Sequence, residues 1–424
     1  MNRSLYSLLL YFISPLLLLY LGFRAIKSAD YRGRWSERFG FAKLQPSDVV
    51  IHSVSMGETL AAIPLIKLIM QQHPELQITV TTTSPTGSAQ VRKAFGDTVQ
   101  HCYLPFDLPY SIKRFLAQIQ PQSLIIMETE LWPNLLHYAA KRGCRCMLAN
   151  GRLSAKSAAQ YHKRLKLVQP MLACLDYLAL QTEAEAQRFI ELGVNANKIS
   201  VCGSLKFDLN IADTVIEQAQ QLRSGWQRND APIWVAGSVH PGEFQVIIDA
   251  HKQLLERHPN ALLVVVPRHP EQFDAAAQLL ATNKLKSVRR SSKQALMPDT
   301  QVLLGDSMGE LLLFYAAADY ALVGGSLIVH GGHNPLEPAA LAKPVLMGPN
   351  YRDFLQITEM LQTAGGLTVV DDAEAIAKQL IGYIEQPEMS EQVGQAALNV
   401  VAQNRGALQQ QFAVVEQLFH ITKH

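Results

Sequence analysis

Cysteine, net charge and internal repetition are what this chain has least of. Its five cysteines, at 102, 144, 146, 174 and 202, include no C-x-x-C pair and no spacing with histidine that would fix zinc at four corners. So odd and scattered a set suits a reducing compartment rather than a disulfide framework. Thirty-eight Lys and Arg against 36 Asp and Glu leave a formal charge of +2, without the basic excess that nucleic-acid binders carry. No repeat or low-complexity tract points to a solenoid. What is present is apolar bulk: at 48% hydrophobic and 17% charged content, 424 residues can bury more than one core, and two domains are expected.

The N-terminus departs from a soluble pattern. Leu5 to Phe23 runs about nineteen residues without a charge, close to the roughly 20 that cross a bilayer core. A signal peptide would show a basic start, a shorter apolar stretch and a small-residue cleavage site, whereas this run holds Pro15 and ends at Phe23-Arg24. It reads as a retained anchor. Arg24, Lys27, Arg32, Arg34 and Arg38 follow at once, which places that flank and the rest of the chain on the cytoplasmic side and near anionic headgroups. Residue counting does not separate a spanning helix from one lying in a single leaflet.

Beyond about residue 45, short β-branched runs alternate with helical stretches, the pattern of a parallel sheet covered by helices. Strands are expected at Asp48 to Ser53, Gln77 to Thr82, Ser123 to Met127, Arg145 to Ala149 and Tyr177 to Leu180. The alternation lapses between Asn210 and Asp230, polar and helical at first and turn-like at Gln227-Arg-Asn-Asp, where a domain junction is expected. It resumes with Pro232 to Ala236, Ala261 to Val266, Thr300 to Leu304, Asp319 to Val323 and Lys343 to Met347.

In open parallel sheets ligands bind beyond the carboxyl ends of strands, so the residues there carry the functional reading. His52-Ser-Val-Ser-Met-Gly-Glu58 turns from strand to helix and puts Glu58 in the first helical turn. A carboxylate there serves equally as a helix cap or as a base for an acceptor hydroxyl. Met127-Glu128-Thr129-Glu130-Leu131-Trp132-Pro133-Asn134 ends another strand with two acids, Glu128 suited to orienting an acceptor or stabilising charge and Glu130 to capping the segment from Trp132-Pro133. Gly203-Ser-Leu-Lys206-Phe-Asp208 offers an ammonium for a carboxylate or phosphate, although a lone lysine is more often a solvated surface group.

In the second half, Ala236-Gly-Ser-Val-His-Pro-Gly-Glu243 suits a backbone nest for phosphate. Arg268 and His269 end a buried strand, where a guanidinium could neutralise phosphate or stack on a base, or simply form a structural ion pair. Gly305-Asp-Ser-Met-Gly309-Glu310, Gly324-Gly-Ser and Gly331-Gly-His-Asn334-Pro335-Leu336-Glu337-Pro338 are glycine-rich openings that let backbone amides approach a ligand. The helix starting near Pro335 would aim its positive end at phosphate or ribose.

Taken in order, the motifs His52 to Glu58, Met127 to Asn134, Gly203 to Lys206, Pro267 to Pro270, Met308 to Glu310 and Gly332 to Glu337, with the N-terminal anchor, resemble the 3-deoxy-D-manno-octulosonic acid (Kdo) transferase family over nearly the whole chain. The resemblance implies an α/β fold of GT-B type: two Rossmann-like doubly wound domains facing a cleft, behind a membrane-anchor helix. Its expected divisions are anchor 1–30, acceptor-binding domain 31–215 and CMP-Kdo-binding domain 216–424. It implies that Glu58 accepts the proton, that Glu128 and Lys206 stabilise the transition state, and that Pro267, Arg268, His269, Met308, Gly309, Glu310, Asn334, Pro335, Leu336 and Glu337 meet CMP.

The implied reaction is inverting transfer of Kdo from CMP-Kdo to the lipid A precursor lipid IVA, an early step of lipopolysaccharide core synthesis at the cytoplasmic face of the inner membrane. CMP-Kdo is a co-substrate, inner-membrane lipids are partners, and neither a cofactor, a metal nor nucleic acid is expected. Two other readings stand beside it: another GT-B enzyme with a different nucleotide sugar, and a non-catalytic nucleotide-sugar or lipid-binding module.

Overall fold

The β-branched runs become strands of two parallel sheets in a computed structural model, which describes residues 1–420 except Asn210 and Asn229. The first sheet contains β1 (Val49–His52), β2 (Ile78–Thr82), β3 (Gln100–Tyr103), β4 (Ser123–Met127), β5 (Arg145–Gly151), β6 (Tyr177–Leu180) and β7 (Ile199–Val201), in the order β3-β2-β1-β4-β5-β6-β7. The second contains β8 (Ile233–Val239), β9 (Leu262–Pro267), β10 (Ser287–Arg289), β11 (Val302–Leu304), β12 (Tyr320–Val323), β13 (Val345–Met347) and β14 (Leu367–Val369), in the order β10-β11-β9-β8-β12-β13-β14. Chain order reverses beside β1 in one sheet and beside β8 in the other. The switch points, where doubly wound sheets hold ligands, therefore lie between β1 and β4 and between β8 and β12.

Each sheet is covered on both faces. Successive side chains of a strand point to opposite sides, so Val50, Leu124, Ile126 and Leu148 join one core with Phe115 and Phe189, while Val49, Ile51, Ile125 and Met147 join the other with Leu65 and Val415. The second sheet divides likewise, Trp234, Leu263 and Leu322 on one face and Val235, Val264 and Ala321 on the other.

Four strands lie outside the runs expected from sequence, β3, β7, β10 and β14, and all four are sheet edges. An edge strand is short and only partly covered, so sequences such as Gln100-His-Cys-Tyr103 and Ser287-Val-Arg289 lack the continuous apolar run of a central strand.

By internal contacts the units are Met1–Asp208 with the stretch from Arg405 onward, and Leu209–Asn404. The expected divide after residue 215 and the expected second domain 216–424 differ from this at both ends. Helix Asp213–Gly225 falls wholly in the second unit, where Ala219 and the following Trp226 are buried with Val235 and Leu262. Helix Ala407–His420 returns to the first unit because Val414, Val415 and Leu418 are buried against the face that holds Leu65 and Ile66. Asn210 and Asn229, in the stretch where the junction is expected, lie outside the described residues. The apolar N-terminal segment is a single helix, Arg3–Lys27, with a mean hydropathy of 1.9 over an 18-residue window, long and apolar enough to cross a membrane.

Candidate active site

Glu58 stands one turn into helix Met56–Gln72, directly after β1. Ser55 caps that helix, its hydroxyl accepting from the Glu58 amide at 3.3 Å. The Glu58 carboxylate returns the bond: Oε2 accepts from the Val54 amide at 2.7 Å, and Oε1 from the Ser55 hydroxyl at 2.7 Å and the Ser55 amide at 3.3 Å. The capping role is thus realised in full. It leaves one carboxylate lone pair on Oε2 uncommitted, since two oxygens offer about four acceptor sites. Burial pushes the pKa of Glu58 above the usual carboxylate value against the pull of the Val54 and Ser55 hydrogen bonds, and neighbouring Glu128 adds to the rise.

Glu128 follows β4, across the switch point. The strand stops at Met127, and Glu128 takes a left-handed backbone (φ 54°) with its amide donating to Ala149 O at 2.8 Å. Its buried carboxylate pairs with Arg152 Nε at 2.9 Å. Because the strand ends there, the two-residue spacing to Glu130 does not give the shared direction that a continued strand would. Glu130 nevertheless enters the same field: burial first, then Glu58 and Glu128, push its pKa to about 7, with Arg152 opposing. Glu130 does not cap helix Pro133–Lys141 as expected. Asp107 does so, its carboxylate accepting from Asn134 N at 2.9 Å and Leu135 N at 2.8 Å. Behind the acids, His52 is fully buried, bonded through Nδ1 to Thr81 Oγ1 at 2.9 Å, and burial pushes it down to about 4, so it is neutral at physiological pH.

Lys206 lies in a 3-10 turn, Leu205–Phe207, beyond edge strand β7. That turn packs against helix Met56–Gln72, which carries Glu58, and Leu205 is buried in the core that holds Ile51, Leu65 and Ile125. The structure thus brings Glu58 and Glu128 together at the switch point and sets the Lys206 turn against the helix that carries Glu58. The C-terminal helix holds its turn. Gln411, fully buried, donates through Nε2 to Gly203 O at 3.1 Å and accepts through Oε1 from Asn150 N at 2.7 Å, while Asn150 Oδ1 accepts from Leu205 N at 3.1 Å. Asp208 closes the other side, accepting from Gly406 N at 2.7 Å and Leu408 N at 2.6 Å.

In the second unit Arg268 follows β9, its amide donating to Val239 O at 2.9 Å. Around it gather residues from three strand ends. His240 and His333 share a hydrogen bond between their Nε2 atoms at 2.8 Å, and the rings of His330, His333 and His269 lie 4.0, 5.0 and 5.6 Å from that of His240. Burial, then the charge of Arg268 and the other imidazoles, push His333 to about 3; burial and then His330, His269 and Arg268 push His240 to about 4. Glu337 is raised by burial while Arg268 pulls it down, which puts it in the same group. The neutral imidazoles of His240 and His333 beside the Arg268 guanidinium form a donor-rich site suited to an anion. His240, His330 and His333 also bring nitrogens within 4.8 Å of one another, and among the described residues they are the group that could hold a metal ion. No sequence spacing announced this, because the three residues come from two loops 90 residues apart.

Part of the expected phosphate nest is taken, together with amides of the neighbouring Gly324-Gly-Ser loop. Glu243, buried, spreads its carboxylate over the amides of His240 (2.9 Å), Gly325 (2.7 Å), Ser326 (3.0 Å) and Leu327 (3.0 Å). Those glycines serve close packing: a Cβ at Gly324 would lie 2.6 Å from Ser238 O. Of the other expected contacts, Pro267 ends β9 and Leu336 is buried. Asn334 Oδ1 accepts from Leu336 N at 3.1 Å, and Pro335 precedes a helix of only five residues, Leu336–Ala340, too short for much dipole. Met308 is exposed, Gly309 takes φ 88°, and Glu310 is held by Arg290 at 2.7 Å, which lowers its pKa.

Comparison with known proteins agrees with this division. A family model described as 3-Deoxy-D-manno-octulosonic-acid transferase (kdotransferase) matches residues 33–209, and one for glycosyl transferases group 1 matches 229–400. A 3-deoxy-D-manno-octulosonic acid transferase from Haemophilus influenzae is 44% identical over 96% of this chain and 97% of its own. One from Bordetella pertussis is 33% identical over 98% and 99%. Among solved structures, a UDP-GlcNAc 2-epimerase from Neisseria meningitidis bound to UDP-GlcNAc shares the fold, with a TM-score of 0.58 and 16% identity over 88% of this chain and 100% of its own. With a buried acid pair at one switch point, a cluster of histidines around Arg268 at the other, and relatives matched from end to end, the chain belongs to the Kdo transferase family of glycosyltransferases.

Proposed function

We propose that this enzyme transfers Kdo from CMP-Kdo to the lipid A precursor lipid IVA with inversion at the anomeric carbon, as an early step of lipopolysaccharide core synthesis at the cytoplasmic face of the inner membrane. The first unit holds the acceptor and the second the donor. Glu58 takes the proton of the acceptor hydroxyl, whose oxygen attacks the anomeric carbon. The bond from that carbon to the CMP phosphate oxygen breaks, and its electron pair leaves with CMP. Positive charge spreads over the reacting sugar and negative charge over the departing phosphate. Glu128, fixed by Arg152, faces the first. Arg268, with Lys206, meets the second through preorganised electrostatics. Pro267, His269, the Met308-Gly309-Glu310 turn and Asn334 to Glu337 complete the CMP contacts, and no divalent ion is assigned a step.

The observation that carries this reading is Glu58: a buried carboxylate with a raised pKa, positioned by its own cap, with one lone pair left to accept a proton. A non-catalytic binding module would have no use for such a base. The test is transfer from freshly generated CMP-Kdo to a tetra-acylated lipid A precursor, read by product mass, for wild type and Glu58→Ala. Wild type should add Kdo and the variant should not, while CMP binding persists in both. A wild type inert on this pair but active with another nucleotide sugar would reassign the donor.

A further inference from the structure

The N-terminal helix Arg3–Lys27 is about 37 Å long at 1.5 Å per residue, enough to span a bilayer. Its contacts forbid that. Near its start, Arg3 Nη1 and Ser7 Oγ donate to Asn134 Oδ1 at 3.1 and 3.0 Å, Tyr6 OH donates to Asp107 Oδ2 at 3.1 Å, and Tyr11 OH accepts from Tyr110 N at 3.2 Å. At its far end Arg24 donates to Tyr31 OH at 2.6 Å, and the chain passes directly into Arg34, which donates to Ser88 Oγ at 2.8 Å. All these partners belong to one unit. A spanning helix would put its two ends on opposite sides of about 30 Å of hydrocarbon, and one folded unit cannot stand on both sides.

The exposure pattern agrees. The sheltered positions Arg3, Ser7, Leu10, Ser14, Leu17, Leu21 and Arg24 recur at alternating steps of four and three, a single stripe along the whole helix. On the opposite face Leu5, Leu9, Phe12, Leu16, Leu19, Phe23 and Ile26 follow the same steps, and each is more than 40% exposed. No acidic residue interrupts either stripe. Cations stand at both ends, Arg3 with Lys113, Lys141 and Arg142 around one groove, and Arg24, Lys27 and Arg32 at the other.

We propose that this helix is monotopic: it lies in one leaflet of an anionic phospholipid bilayer with its Leu5–Phe12–Leu19–Ile26 face among the acyl chains and both ends on the side of the folded units. The inference rests on the membrane association proposed above, and its test separates the two. In a Cys174→Ser background, Ser4→Cys and, separately, Glu391→Cys are exposed to a membrane-impermeant maleimide, once from outside spheroplasts and once on inside-out vesicles. Labelling of both variants from the vesicle side alone is expected. Labelling of Ser4→Cys from outside, with Glu391→Cys labelled only from within, overturns the proposal in favour of a spanning helix. Recovery of the wild type in the soluble fraction overturns membrane association itself. Leu16→Glu with Leu19→Glu should release the protein from vesicles containing phosphatidylglycerol. If the double variant instead stays bound and a dimer becomes a monomer, that face covers a second copy and the proposal fails.

Discussion

Glu58→Gln separates the two roles that one carboxylate combines at the start of helix Met56–Gln72. The amide has nearly the carboxylate's shape and can turn its oxygen toward the Val54 amide, 2.7 Å from Oε2, and its NH2 toward the Ser55 hydroxyl, 2.7 Å from Oε1. Only the longer 3.3 Å bond from the Ser55 amide to the carboxylate is lost, so the stability cost should be about 1.5 kcal/mol, the low end for a hydrogen bond to a charged group. The amide cannot accept a proton at neutral pH. General-base catalysis contributes roughly 100- to 10,000-fold, or about 2.7–5.4 kcal/mol of barrier, so kcat should fall by at least about 100-fold. The assay is single-turnover Kdo transfer with mass detection, run beside thermal unfolding of the same preparation and CMP titration. A variant that keeps more than about a third of wild-type kcat while unfolding slightly earlier would show that Glu58 is a cap and that another group takes the proton.

Four further outcomes follow from the same geometry. Glu128→Gln removes the negative charge that adds to the raised pKa of Glu58, so the acid limb of the kcat–pH profile should move to lower pH, whatever happens to its height; an unmoved limb assigns it to a different group. Asp107 and Glu130 are both raised to about 7 by burial, so the stability of the protonated forms is complete below their ordinary values and lost as pH rises through the folded ones. The unfolding temperature of the first unit should therefore fall between about pH 4 and pH 7, and a rise over that interval refutes the assignment. Glu243→Ala strips four amides of their acceptor and should cost about 3 kcal/mol or more, seen as earlier unfolding of the second unit. Gln411→Ala should lower kcat by about tenfold with CMP affinity unchanged, because it loosens the turn that carries Lys206 rather than the nucleotide pocket.

The sequence was legible where a feature is local. Central strands such as Ser123–Met127 are buried on both faces and show as unbroken apolar runs, and Glu128 and Arg268 stand out because a residue that follows such a run must sit at a strand end. Edge strands are half-covered and carry no such mark. Contacts made across long stretches of chain were also silent. The cap of helix Pro133–Lys141 comes from Asp107, the acceptor for Gly325 from Glu243, and the clamp on Gly203 from Gln411, 208 residues away. Each is an ordinary acid or amide in sequence and gains its role only when packing brings it to an unsatisfied backbone group. One glycine-rich loop misled in the same way: its open amides suggested phosphate, and the buried carboxylate of Glu243 had taken those of Gly325 and Ser326.

The first unit is closed by the last helix of the chain, and this bears on the order in which a nascent polypeptide becomes competent. The apolar helix Arg3–Lys27 leaves the ribosome well before helix Ala407–His420. Asp208, Asn150 and Gly203 must wait for Gly406, Leu408 and Gln411, which emerge only after the entire second unit has been made. On the membrane association proposed above, growing chains would reach a lipid surface while the Lys206 turn is still unpinned. Synthesis from the N-terminus therefore fixes the Lys206 turn last, after both sheets have been made, whereas Glu58 is held by its own neighbours Val54 and Ser55 from the start.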